Sequence, residues 1–348
     1  MNRGLRGLEE RVLSKGLCTA CGACLSLCPY LRAYGGRVVK LHDCNLDEGR
    51  CFSYCPRTDL PPEGIQEYEL RQEFKNAGIG RVRRVFMARA KNPLWRERAQ
   101  SGGAVSALID VALKERLIEA ALLTYRDGDS PPRGRIVRDR AEVLNHAGSS
   151  FVSGPTLEAL HKGPWREGEK IGVVGLPCQL QALWKMRSSP FEKKAPIDRI
   201  ELIIGLFCTW ALEYEGFKDF LKRRLGKLPP VKMEITPPPE RLLKIHTLGG
   251  LKIVPIEEIR PFIRKGCHSC PDMTAEHADL SVGTVEGMEG WNTVILRSER
   301  GESLFEEARA EGVLETRPLP EENLSHLKEA SLLKKERAIK GSTEPQGA

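Results

Sequence analysis

IGVVGLPCQLQAL, Ile171–Leu183, reads as a short apolar run, a break at Leu-Pro, a cysteine and then a helical pattern. IELIIGLFCTWAL, Ile200–Leu212, repeats that order, with an apolar run leading into a second cysteine. Short apolar runs bounded by such breaks read as buried strands, and strands alternating with helical patterns predict an α/β fold with a mainly parallel sheet. The same alternation extends outward in both directions. A strand-like segment covers 82–90, and Val105, Leu108, Ile109, Ala112 and Leu113 recur at helical spacing after Gly102 and Gly103. Further apolar runs stand at AALLTY (120–125) and TVILRS (293–298), and helical patterns at QLQALWKM (179–186) and EGFKDFLKRRL (215–225). Residues 237–256 predict an inserted hairpin turning at Gly249-Gly250.

The chain has 348 residues, 41% hydrophobic and 29% charged, enough for two or three folding units. No apolar run approaches the ~18–20 residues of a membrane helix, so no membrane span is expected. The net charge of +7 is spread over mixed-sign segments. In the densest basic run, GRVRRVFMARAK (80–91), apolar residues alternate as in a strand, so a solvated face is expected there and no nucleic-acid partner. Eleven cysteines in a chain whose N-terminus has no apolar leader argue for metal or cluster binding in a reducing cytoplasm rather than for disulfides. Seven fall before residue 56 and four between 178 and 270. The expected organisation is a cysteine-rich domain over 1–58, a Pro/Glu/Gly-rich linker over 59–81, the large domain over 82–335 and a disordered tail over 336–348.

CTACGACLSLCP places Cys18, Cys21, Cys24 and Cys28 at C-x2-C-x2-C-x3-C-P. In that spacing three thiolates wrap one [4Fe–4S] cubane and the fourth reaches a second cluster. Structural zinc prefers paired C-x2-C knuckles. CNLDEGRCFSYCP ends in Cys51-x3-Cys55-Pro56, so by the same crossover Cys55 completes the cluster of Cys18, Cys21 and Cys24. Cys28, Cys44 and Cys51 remain, one thiolate short, with Asp47 where a further cysteine would stand. Three readings stay open for this second site: a [4Fe–4S] cluster with a carboxylate or solvent ligand, a [3Fe–4S] cluster, or no cluster. The unit resembles a bacterial-type two-cluster ferredoxin, an α+β relay for single electrons.

Cys178 and Cys208 both follow strands, and ligands of parallel α/β sheets bind beyond the carboxyl ends of the strands. With Cys267 and Cys270 of KGCHSCPDM they can form a four-thiolate site, a third cluster or a zinc centre, with His268 and His277 nearby in sequence. QSGGAVSALIDVAL (100–113) and AGSSFVSGP (147–155) each put glycine and hydroxyl residues before a helix start, where free amides can meet an anion. There is no G-x-G-x-x-G unit, P-loop or G-x-S-x-G elbow.

QSGGAVSALIDVAL, GVVGLPCQLQAL, IIGLFC and GCHSCPDMTAEHADLSVGTVEGMEGWNTVI, in that order, resemble the coenzyme F420 hydrogenase/dehydrogenase beta-subunit family over about residues 82–335. The resemblance implies an FAD-binding α/β domain and a [4Fe–4S] cluster on Cys178, Cys208, Cys267 and Cys270. It places the flavin against Ser101, Gly102, Gly103, Gly148, Ser149, Ser153, Pro155, Ser281, Gly283 and Thr284. It implies hydride exchange between coenzyme F420 and FAD, two or three clusters in the whole chain, and a redox partner subunit of hydrogenase, formate dehydrogenase, heterodisulfide reductase or quinone-reductase type. No side-chain acid or base is required, and no catalytic residue is nominated. Many members read Gly-Thr/Ser-Lys-Tyr where this chain has Gly148-Ser149-Ser150-Phe151, which leaves open a carrier other than F420, such as NAD(P)H, or a wiring subunit without flavin.

Overall fold

The structure is a computed structural model that describes residues 2–58, 78–126, 130–191, 195–236 and 240–343. Most of the expected linker, 59–77, lies outside the described residues.

The N-terminal unit combines helix α1 (Leu5–Leu8), a π-helical turn (Glu9–Leu13), strands β1 (Leu31–Tyr34) and β2 (Arg37–Lys40), and helix α2 (Arg50–Ser53). β1 and β2 pair antiparallel with Tyr34 opposite Arg37, so Gly35-Gly36 is a two-residue turn. Both glycines have positive φ, the geometry that matches strand twist in tight hairpins. Leu5, Leu8, Val12, Leu25, Leu31 and Phe52 form a small core against which the cysteines pack.

The large domain is built on one eight-stranded sheet. Its strands are β3 (Arg84–Ala90), β4 (Ala120–Tyr125), β5 (Arg133–Val137), β6 (Ile171–Gly175), β7 (Ile200–Leu206), β11 (Leu280–Val285), β12 (Met288–Leu296) and β13 (Leu314–Pro318), in the order β13-β3-β12-β11-β7-β6-β4-β5. Strands β8 (Lys232–Ile235), β9 (Leu242–Thr247) and β10 (Gly250–Pro255) form a separate three-stranded sheet. The helices are α3 (Pro93–Arg98), α4 (Ala104–Lys114), α5 (Glu158–Lys162), α6 (Pro177–Ser188), α7 (Tyr214–Leu225), α8 (Lys265–His268), α9 (Glu299–Ala310) and α10 (Glu321–Thr343).

The expectation of a mainly parallel sheet needs correction. Only the central β4, β6, β7 and β11 pair parallel, and the outer strands pair antiparallel, so the sheet is mixed. β11 returns into β12 through the two residues Glu286-Gly287, with no room for a crossover helix. The inserted hairpin is present, but Thr247 pairs with Gly250, which puts the turn at Leu248-Gly249 rather than Gly249-Gly250. The tail expected to be disordered from 336 is helical to Thr343. α10 is anchored there because Ser331, Lys334 and Ala338 are buried, a tertiary contact that a polar sequence does not reveal.

Alternation along the strands divides the core. On one face Leu123, Ile204, Val282 and Val294 pack under α4 and α9, and on the other Leu122, Val173 and Ile203 pack under α5 and α6. Each such fully buried aliphatic side chain contributes about 1.5–3 kcal/mol. The second face also takes Cys21, Ala23 and Tyr54 of the N-terminal unit, which is thereby part of the same core. Gly22 has φ +92° and approaches so closely that a β-carbon would stand 2.7 Å from Glu158 N and 2.8 Å from Pro155 C. In the basic run, Arg83, Arg84 and Arg89 are paired with Glu302, Glu306 and Glu315.

Candidate functional site

Gly175 and Gly205 lie opposite each other on the parallel neighbours β6 and β7. Cys178 and Cys208 each follow three residues later, so the sheet register delivers both to the same carboxyl edge. Pro177 opens α6, and Gln179 Oε1 accepts from Leu176 N–H at 2.8 Å, fixing the turn that carries Cys178. Cys208 N–H donates to Met273 O at 2.9 Å, and Lys334 Nζ donates to Cys208 O at 2.5 Å and Asp272 O at 2.8 Å. The loop of Cys267 and Cys270 is stitched alongside by Arg264 N–H on Ala211 O and by Ala211 N–H on Cys267 Sγ at 3.3 Å.

The four cysteines line one cavity together with Thr19, Arg57, Ser153, Trp210 and Lys334. Burial pushes the Cys178 thiol up to about 11, with the Cys270 sulfur adding to the effect. Cys208 and Cys267 are raised for the same leading reason. Burial also opposes ionisation of Cys270, yet Arg57 and Lys334 outweigh it and hold that thiol below its ordinary value. The nearby histidines stand apart: His268 is exposed, and His277 stacks on Trp184 at 5.8 Å.

The donor set fits a cluster better than a single ion. Four thiolates on one zinc lie about 3.8 Å from one another, given Zn–S bonds of ~2.3 Å. Among the described residues, three or more potential ligand atoms lie mutually within 4.8 Å only at the exposed Glu115, Glu307 and Glu311, so no three cysteine sulfurs are that close. Arg57 Nε and Nη2 and Ser153 Oγ are buried at the cavity wall with no nitrogen or oxygen partner, and the Arg57 guanidinium is turned towards the Cys270 sulfur. Orphaned polar atoms of this kind mark the place of an absent polar group.

A second cavity is lined by Cys18, Cys21, Cys24 and Cys55, the set that the crossover spacing groups together. Ala20 and Ser26 have left-handed backbone, uncommon outside glycine, and with Gly22 they fold the cysteine loop back on itself. Burial raises Cys51 to about 11, and Cys28 and Cys44 add to the rise, so these three thiols are neighbours. Asp47 is exposed, and its carboxylate accepts from Asn2 Nδ2 at 3.1 Å. Thr19 lines both cavities, and Cys21 and Cys178 act on each other electrostatically, so the two four-cysteine sets are adjacent.

Residues assigned to the flavin by resemblance fall into two groups. Ser101 Oγ donates to Trp291 O at 2.8 Å, Asn292 Oδ1 accepts from Ala104 N–H at 3.2 Å, and Asn292 Nδ2 donates to Gly283 O at 3.0 Å. Asn292 thus ties Ser101–Gly103 to Gly283 and exposed Thr284 at the carboxyl edge of the sheet. Gly148 is exposed nearby, with Arg98 O as its closest neighbour, and partly buried Ser149 follows it. The other group points elsewhere. Ser153 faces the four-cysteine cavity, Pro155 closes against Gly22, and Ser281 is fully buried, accepting from Arg297 Nε at 2.6 Å. Sequence reasoning did not anticipate Thr19, Arg57, Lys334 or Asn292. Arg57 carried a local hint, since it directly follows Cys55-Pro56, but nothing near Lys334 in sequence does.

Two family models, for the N-terminal and the C-terminal parts of the coenzyme F420 hydrogenase/dehydrogenase beta subunit, match residues 85–161 and 168–322 respectively. The chain belongs to the coenzyme F420 hydrogenase/dehydrogenase beta-subunit family. This chain is an oxidoreductase of that family. It is 30% identical over 268 residues to the coenzyme F420 hydrogenase subunit beta of Methanothermobacter thermautotrophicus, covering 75% of this chain and 94% of that one. With an F(420)H(2) dehydrogenase subunit of Methanosarcina mazei it is 29% identical over 89% of this chain and 87% of the relative, a span that reaches into the cysteine-rich unit. A solved chain of the F420-reducing [NiFe] hydrogenase complex from Methanosarcina barkeri superposes with a TM-score of 0.69 at 27% identity, covering 75% of this chain and 91% of that one. Among the described residues no helix is long and apolar enough to cross a membrane.

Proposed function

We propose that this chain is an iron–sulfur flavoprotein subunit that exchanges hydride between coenzyme F420, or a related carrier, and FAD, and passes single electrons through [4Fe–4S] clusters to or from a partner subunit. The observation that carries the reading is the convergence of Cys178, Cys208, Cys267 and Cys270 on a cavity that shares a wall with the Cys18, Cys21, Cys24 and Cys55 set. When bound, FAD supplies the change between two-electron hydride chemistry and one-electron transfer, and the clusters supply the one-electron carriers. The residues assigned to each are those described above, with Ser101, Gly102, Gly103, Gly148, Ser149, Gly283 and Thr284 for the flavin. Asn292 holds the Gly102-Gly103 turn against β11. Lys334 clamps the main chain at Cys208 and Asp272, and Thr19 and Arg57 close the cluster cavity against water. Relatives named as hydrogenase and dehydrogenase subunits support a redox partner.

The Cys28, Cys44 and Cys51 set is assigned a second ferredoxin-type cluster, either [4Fe–4S] with a carboxylate or solvent ligand or [3Fe–4S]. Phe151, in left-handed backbone where many members carry tyrosine, is the observation that favours the second reading, a carrier such as NAD(P)H in place of F420.

The test is anaerobic. The purified full chain is analysed for iron, sulfide, zinc and flavin, loaded with FAD, and reduced separately with F420H2 and with NADH or NADPH. Flavin and cluster bleaching by F420H2 is the expected result. Bleaching by the nicotinamide alone transfers the reading to that carrier, and bleaching by neither overturns hydride exchange. A colourless, zinc-loaded chain overturns the clusters.

A further inference from the structure

Among the described residues Arg57, Arg264 and Arg297 are almost fully buried, and the first and last of them are treated very differently. Arg297 is 2% exposed, and its Nε, Nη1 and Nη2 donate to Ser281 Oγ, Ile79 O, Arg81 O, Thr274 O and Thr274 Oγ1 at 2.6–3.0 Å. Arg57 is 3% exposed, yet only Nη1 has an oxygen partner, its neighbour Pro56 O at 3.3 Å, while Nε and Nη2 have none. Leaving a charged buried donor unsatisfied costs more than leaving a neutral one so. The chain surrounds Arg297 with oxygens and gives Arg57 the single carbonyl of Pro56.

What Arg57 faces instead is sulfur. It lines the cavity of Cys178, Cys208, Cys267 and Cys270, and those of Cys178, Cys267 and Cys270 are the sulfurs that act on it. It also stands two residues after Cys55, a residue that lines the neighbouring cavity. A side chain contributed by the cysteine-rich unit therefore reaches into the cavity of the large domain's cysteines from beside the other four-cysteine set. The exchange runs in the other direction too: Arg264 of the large domain donates to Cys18 O at 3.2 Å and to Gly36 O in the cysteine-rich unit.

We infer that Arg57 sets the reduction potential of the large-domain cluster by donating from Nε and Nη2 to its sulfurs, and couples that potential to the neighbouring ferredoxin cluster. This rests on the cluster assignment proposed above. Charge and hydrogen bonds to sulfur are among the terms that fix cluster potentials. Reduction adds negative charge, so a cation that donates to the sulfurs favours the reduced state and raises the potential. Arg57 is thus a positioning residue for electron flow from the large domain into the cysteine-rich unit, and it forms no bond to iron.

The test uses the full chain, reconstituted anaerobically, with EPR-monitored redox titration of wild type, Arg57→Gln and Arg57→Lys. The signal lost in Cys178→Ala identifies the large-domain cluster. If no signal is lost, the cluster assignment itself fails, independently of Arg57. Arg57→Gln is expected to keep the iron content and move the large-domain potential to more negative values, with a smaller negative shift at the Cys55 cluster. Arg57→Lys is expected to recover most of the shift. An unchanged large-domain potential in iron-replete Arg57→Gln overturns the inference. Should Arg57→Gln not assemble, pulsed EPR of wild type carrying ¹⁵N-arginine decides: a nitrogen coupling on the large-domain cluster supports the inference, and its absence overturns it.

Discussion

The two four-cysteine centres sit side by side and are built on opposite principles. Cys18, Cys21 and Cys24 belong to one loop, and left-handed backbone at Ala20, Gly22 and Ser26 turns that loop around its cavity. Cys178, Cys208 and the Cys267/Cys270 pair come from three separate connections, and the register of β6 against β7 brings them together. The first centre depends on local geometry, the second on the integrity of an entire sheet. The difference teaches where each is vulnerable, and four experiments exploit it.

The largest effect is expected from removing a ligand of the second kind. Cys178→Ala should eliminate the large-domain cluster, a loss of about four iron atoms per chain, while the Cys18, Cys21, Cys24 and Cys55 cluster persists. Iron and sulfide analysis with EPR checks this, and simultaneous loss of both would show that the centres do not assemble separately. Next, Gly22→Ala tests the docking between the units. The new β-carbon meets main chain at 2.7–2.8 Å and the φ of +92° is strained for alanine, so the cost should exceed the ~1–3 kcal/mol of ordinary overpacking. A lowered Tm and slowed electron transfer between the two centres are expected; an unchanged transfer rate would mean that the units need no close contact.

A smaller, pH-dependent effect is expected at the opposite edge of the sheet, away from both centres. Glu169 is buried and takes two hydrogen bonds from Arg138, at 2.6 and 2.9 Å, which hold its carboxyl below the usual range. Its stabilisation is therefore present above the ordinary glutamate pKa of ~4.3 and is lost as pH falls through the depressed folded value. Glu169→Gln should lower Tm at pH 7, the gap closing in acid, with cluster spectra unaltered. The smallest effect is expected for Asp47→Ala. With its carboxylate exposed and held by Asn2, iron bound by Cys28, Cys44 and Cys51 should be unchanged. Loss of iron would instead assign Asp47 as a ligand.

How much was legible in the sequence follows the same division. The strands at 120–125, 171–175 and 200–206 were readable because a buried central strand is an apolar run. The antiparallel flanks were not, since β11 and β12 join through a tight turn that carries no signal of strand direction. Four of the residues assigned to the flavin by resemblance cluster with Asn292 at the sheet edge, as Ser101, Gly102, Gly103 and Gly283 show. Ser281 is fully buried, with its hydroxyl donating to Ala275 O and accepting from Arg297 Nε, an engagement made by residues remote in the sequence and not readable from the motif around it.

By itself the sequence grouped the cysteines into the sets that line the two cavities, since cysteine spacing within a loop and the position of a cysteine after a strand are properties of the chain order. It also determined the family, through motifs that recur in a fixed sequence. Only the tertiary structure decided that the two sets share a wall, that Arg57 crosses from one unit into the cavity of the other, and that Lys334 reaches Cys208 from a helix more than a hundred residues away. Such contacts depend on packing between elements remote in the chain, where burial and unpartnered donors become visible only once the surfaces have met.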